Sequence, residues 1–134
     1  MKPVANSKGF KGQAAALKQQ NGAPKEITPA YLKAMTKRFD MGIIFRLDLS
    51  GMGLRTIKPL EECIMLQYLD ISNNNLKEVN ALETCKDLSH LNANMNIVSE
   101  LKGLRNLRRL KCILLLGNQM SDTKNLEHLK NCAD

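Results

Sequence analysis

Three residues in this chain hold the groups of a nucleophilic relay: the carboxylate of Asp70, the hydroxyl of Ser72 and the imidazole of His90. Four cysteines, Cys63, Cys85, Cys112 and Cys132, are the thiols available for metal or redox work. A run of cations, Lys102, Arg105, Arg108, Arg109 and Lys111, raises the question of nucleic acid. Each chemistry needs its own spacing, and none is met. No C-x-x-C occurs, and neither His90 nor His128 completes a zinc pattern. Neither a glycine-rich phosphate loop nor a nucleophile elbow is found. Instead, Cys63 and Cys85 lie 22 residues apart, as do Asp48 and Asp70, and Ser50 and Ser72.

That step belongs to the elements that must position these groups. Between Leu66 and Asp87, the residues Leu66, Leu69, Ile71, Asn74 and Leu76 follow L-x-x-L-x-L-x-x-N-x-L, and Val79, Leu82 and Cys85 continue at three-residue intervals. This is the order of a leucine-rich repeat: a short strand, a turn pinned by asparagine, and a helical or 3₁₀ return. Stepping by 22 from Leu66 meets Ile44 behind, then Leu88, Leu110 and Cys132 ahead. The expected fold is an α/β leucine-rich repeat solenoid with a parallel concave sheet. Its repeats are 44–65, 66–87, 88–109 and 110–131, and about three suffice for a stable stack. Repeat one carries Met52 at the asparagine position, so asparagine bonding should start at Asn74. Repeat four continues the frame with Ile113, Leu115, Asn118, Met120, Leu126 and Leu129. With aromatics at 4% and no Trp, the core must be aliphatic, which suits such a stack.

Before the repeats, residues 1–26 read as a disordered basic tail, rich in Lys, Gly, Gln, Ala and Asn. Five lysines against one glutamate give it +4 of the chain's net +7. The repeat domain then runs over 27–134. Thr28 and Pro29 start a cap helix over about 28–39, with Tyr31, Leu32, Met35 and Phe39 on one face to cover the end of the stack. At the other end, Cys132 opens a fifth repeat and the sequence stops, so a C-terminal cap is expected to be missing. A shortened chain, cover by self-association or a partner, and partial cover by the last helical turn remain open, the first slightly favoured. No secretory signal or membrane-spanning apolar run is read, and buried, reduced cysteines are expected. An intracellular, cytoplasmic protein is the expectation, with nuclear and ciliary placement open. Stacking leaves a disulfide between Cys63 and Cys85 open as well.

Alternation along each strand turns the residues between the framework positions outward. The third position of successive repeats gives Arg46, Tyr68, His90 and Cys112; the fifth gives Asp48, Asp70, Asn92 and Leu114; the seventh gives Ser50, Ser72, Asn94 and Leu116. The candidate partner-binding residues are therefore Arg46, Asp48, Tyr68, Asp70, His90, Leu114 and Leu116. Leu114 and Leu116 are apolar where polar groups are usual, and exposed apolar patches mark interfaces. His90 should lie beside Tyr68, about 8 Å diagonally from Asp70 at the backbone, so no triad is expected on this open face. The cations from Lys102 to Lys111 alternate with Leu101, Leu104 and Leu107 and read as a solvated convex face, which makes nucleic acid an unexpected partner. Neither catalysis, a cofactor nor a metal is implied.

The frame, with the phrases ITPAYLK, RLDLSGMGL and LLLGNQMSD, resembles the 22-residue leucine-rich repeat class of phosphatase regulators and ciliary dynein light chains. The resemblance covers about residues 27–134 and implies a non-catalytic adaptor that binds protein through its concave face. The alternative is a structural or assembly factor, ciliary, cytoskeletal or ribonucleoprotein, anchored by the basic tail. Self-association through the uncapped C-terminal edge is a further expectation.

Overall fold

The computed structural model of the chain describes residues 26–121 and 123–132. All but the last residue of the expected basic tail, and the final two residues, lie outside them. Four strands, β1 (Arg46–Asp48), β2 (Tyr68–Asp70), β3 (His90–Asn92) and β4 (Cys112–Leu114), form one parallel sheet in chain order. Each strand pairs with the next in a register offset of 22, so that Arg46, Tyr68, His90 and Cys112 stand abreast.

Between strands the chain returns through 3₁₀ turns, Lys58–Glu62, Asn80–Thr84, Lys102–Leu104 and Thr123–Leu129. The spacing of the apolar residues explains the choice. Ile57, Leu60 and Cys63, then Val79, Leu82 and Cys85, then Leu101, Leu104 and Leu107, recur every third residue. At three residues per turn they fall in one line, and all nine are buried to 1% exposure or less. With the strand residues Leu47, Leu49, Leu69, Ile71, Leu91 and Ala93, they form one continuous core.

Asparagine joins the layers. The Asn74 Oδ1 accepts from the Met52 and Leu54 amides, both at 3.0 Å, while its Nδ2 donates to the carbonyls of Leu49 (2.9 Å) and Ile71 (2.9 Å). Asn96 repeats the pattern toward Leu76 N (3.1 Å) and Ile71 O (2.9 Å), and Asn118 toward Val98 N (3.0 Å) and Ala93 O (2.8 Å). Each carboxamide thus satisfies its own turn and the backbone one repeat behind. Met52, having no repeat behind it to serve, is simply buried at 2% exposure. The eighth position of each repeat is left-handed, at Gly51 (φ 63°), Asn73 (56°), Met95 (59°) and Gly117 (73°). Gly and Asn tolerate this geometry; Met95 is the strained member.

The cap helix α1 (Pro29–Thr36) is shorter than expected. Thr28 caps it, its hydroxyl accepting from Tyr31 N at 3.0 Å, and Lys37 ends it in a left-handed turn (φ 56°). Leu32 and Met35 are buried against the stack as expected, but Phe39 falls beyond the helix and stands 96% exposed. A second departure lies in repeat four. Leu126, expected inside, is 66% exposed, and Asn125 is buried in its place. Its Oδ1 accepts from Leu101 N and its Nδ2 donates to Ser99 O, both at 3.0 Å, so backbone groups of repeat three draw the polar residue inward. Ile113, Leu115, Met120, Leu129 and Cys132 pack on the core while remaining partly exposed.

All four cysteines are free thiols, with Cys63 and Cys85 in the core and Cys112 exposed. Burial pushes the Cys63 thiol up to about 12, helped by Cys85 and Glu62, and the Cys85 thiol up to about 11, against an ordinary 9.0. Their protons are held more tightly in the folded chain than in the unfolded one. The resulting stability is fully present below pH 9.0 and lost as pH rises toward the folded values. The urea midpoint should therefore fall between pH 9 and 11 in the native chain, and fall less after Cys63→Ala plus Cys85→Ala. An Asn74→Ala variant, which strands several buried backbone groups, should lose about 3 kcal/mol in the same measurement at neutral pH. A loss of a few tenths would show that the carboxamide does not bridge repeats.

Candidate protein-binding face

Strand spacing builds the site. Parallel neighbours lie about 4.8 Å apart, close to the separation that stacked rings adopt. Identical register therefore turns the third positions into a stack. The Tyr68 and His90 ring centroids are 4.6 Å apart and inclined by 13°, and the Arg46 guanidinium carbon lies 4.3 Å from the centre of the Tyr68 ring. Because β2 lies between β1 and β3, Arg46 covers one face of Tyr68 and His90 the other. The Ser89 hydroxyl fixes the imidazole. It donates to Gln67 O at 3.1 Å and stands 2.8 Å from His90 Nδ1. That contact holds the ring by Nδ1 and leaves Nε2 as its second polar atom.

The fifth positions do a different task. The Asp70 Oδ1 accepts from Ser72 N (2.9 Å) and Ser72 Oγ (2.6 Å), Asp48 does the same with Ser50 (3.0 and 2.6 Å), and Asn92 accepts from Asn94 N (3.1 Å). These are turns closed by a side chain two residues back. Asp48 is 2% exposed, so its place among the outward-facing residues needs correcting: its carboxylate is taken up in the Ser50 turn beneath the surface. Asp70 keeps a half-buried position two residues after Tyr68 on the same strand.

The same contacts dispose of a relay. Ser72 Oγ donates to Asp70, while His90 is paired across the sheet with Tyr68 and bonded to Ser89. Acid, hydroxyl and imidazole thus form two separate sets. Among the described residues, no group of three metal-ligating side chains comes together.

At the far end Leu114 and Leu116 are 45% and 75% exposed, with Met95 at 53% beside them in the turn. The Leu116 amide donates to the Asn94 side chain at 2.7 Å, which turns the leucine side chain away from the core. A second apolar patch was not anticipated: Phe39, Ile43, Ile64 and Met65 gather around the cap. It arises because α1 stops at Thr36.

Part of the basic run also differs from its expected place. Arg108, Arg109 and Lys111 line one depression together with Tyr68, Ser89 and His90, rather than a convex face remote from the stack. The Arg109 guanidinium pairs with Asp87 at 3.0 Å. The signal was present in the frame: Lys111 is the second residue of its repeat, immediately before β4, and the loop from Arg108 leads directly to that strand.

No family model and no curated protein matches the chain. Solved structures do resemble it. An internalin C2 of Listeria monocytogenes superposes with a TM-score of 0.54 at 24% identity, over 78% of this chain and 54% of the internalin. A Listeria monocytogenes internalin F gives 0.54 at 20% identity, over 81% and 36%, respectively. A Leptospira interrogans leucine-rich repeat protein gives 0.62 at 24%, over 80% and 27%. The chain spans about half the length of these proteins or less. At such identities the likeness concerns architecture, and the chain has the leucine-rich repeat fold.

Proposed function

We propose that this chain is a non-catalytic leucine-rich repeat adaptor that binds another protein through its concave strand face. The Arg46–Tyr68–His90 stack carries the proposal. Arg and Tyr are the side chains that most often anchor interfaces. Here they are held in place by each other, so little side-chain freedom is lost on docking. Asp70 lies beside the stack, and Leu114 and Leu116 extend the face with apolar area. An intracellular setting is part of the proposal; among the described residues no helix is long and apolar enough to cross a membrane. The phrases ITPAYLK, RLDLSGMGL and LLLGNQMSD resemble leucine-rich repeat-containing protein 61; with no curated match, no residue or partner is taken from that resemblance.

A second reading concerns β4. Its outer edge has no strand partner among the described residues, and Leu114 and Leu116 stand exposed on it. Such edges recruit strands, and a second copy of the chain would supply one. Sedimentation equilibrium should then show dimers that Leu114→Lys plus Leu116→Lys dissociate. A monomer at every concentration would discard self-association.

The main proposal is tested by quantitative pull-down of proteins bound to the full chain, to Tyr68→Ala plus His90→Ala, and to a chain lacking residues 1–26. Loss of the ring pair should weaken capture by about 2 kcal/mol or more, roughly thirtyfold, with the thermal midpoint little changed. Deleting the tail should leave capture intact. Undiminished capture by the ring variant would reject the concave face, and loss confined to the tail deletion would favour anchoring through the basic tail.

A further inference from the structure

The depression beside the stack has a charge that suits one kind of partner. Its walls hold the cations Arg108, Arg109 and Lys111, and an adjoining hollow shares the two arginines and adds Lys86. Among the residues lining both, Asp87 is the only carboxylate, and Arg109 already engages it. Arg108 and Lys111 are exposed, and neither has an ion-pair partner among the described residues. Arg46 adds a further positive group at the opposite end of the stack.

Two classes of anionic polymer answer such a field, and the stack discriminates between them. Single-stranded nucleic acid needs open aromatic faces on which bases lie. Both faces of Tyr68 are covered, by Arg46 and by His90, and the next position abreast of His90 is Cys112. What the rings offer is their edges and the His90 ring nitrogen. A polypeptide uses those features: carboxylates on the guanidinium and ammonium groups, and backbone polar groups on the ring nitrogen.

Building on the concave-face reading above, we propose that the partner is an acidic peptide segment, its carboxylates seated on Arg108 and Lys111 and its backbone running along the Tyr68–His90 edge. Glutamate- or aspartate-rich sequence is thereby selected over neutral sequence by charge and over nucleic acid by the covered faces of Tyr68. Attraction at exposed cations is screened by salt, so binding should weaken steadily as ionic strength rises.

The test is fluorescence anisotropy on the full chain with a labelled peptide of alternating Glu and Gly, a matched Gln–Gly peptide, and labelled oligouridylate of equal charge. Arg108→Glu plus Lys111→Glu should weaken the Glu peptide by on the order of tenfold or more. Lys58→Glu plus Lys77→Glu makes the same change in net charge at exposed sites away from the depression and should leave the affinity within about twofold. Equal losses in both variants, no loss in the first, absence of preference for Glu over Gln, or tighter binding of oligouridylate would each overturn the proposal. If that happens while Tyr68→Ala plus His90→Ala still abolishes partner capture, the concave face stands and only the acidic character of its partner falls.

Discussion

A carboxamide offers an acceptor and two donor hydrogens in one plane, and the turns of this chain are shaped around that fact. Asn74, Asn96 and Asn118 each bond backbone amides on one side and carbonyls on the other, in their own turn and in the repeat behind. Buried backbone groups that lack partners cost roughly 1–3 kcal/mol each, so a slipped register would be penalised at every layer. The apolar core is tolerant by comparison, since Leu, Ile and Val interchange readily along a solenoid. Leucines supply most of the cohesion; the asparagines fix which residue stands beside which.

The proposed function follows from that registration. Strands held abreast at about 4.8 Å bring three side chains of unlike chemistry into contact, and the cation, the phenol ring and the imidazole become one rigid ridge. The fifth-position acids close turns at Ser50 and Ser72, which frees the third position to face outward undisturbed. The loop into β4 then brings Arg108, Arg109 and Lys111 to the same place. An open face of this kind excludes little water and is poorly suited to catalysis, but its rigidity favours recognition.

The repeat frame was legible because burial imposes a strict period: Leu66, Leu69, Ile71 and Leu76 are each almost fully buried. The neighbours of Tyr68 were legible for the same reason, as the register is a consequence of that period. What escaped depended on local competition. The helix from Pro29 ends at Lys37 in a left-handed turn that no apolar spacing announces, and Phe39 is displaced to the surface. Asn125 replaces Leu126 inside because a backbone amide and a carbonyl of repeat three need partners, a demand invisible to hydrophobic pattern. Asp48 looked outward by alternation, yet it is buried at the first strand of the stack, whereas Asp70, with the same turn bonds, stays half-buried.

Native-state amide hydrogen exchange, resolved by residue, tests the asparagine registration most directly. The amides of Met52, Leu54, Leu76 and Val98, which donate to side chains of the following repeat, should exchange only through global unfolding, as slowly as the strand-linking amides of Leu49, Ile71 and Ala93. Faster exchange of the asparagine-bound amides, by local opening while the strands stay protected, would contradict the account: register would then be set by the leucines alone.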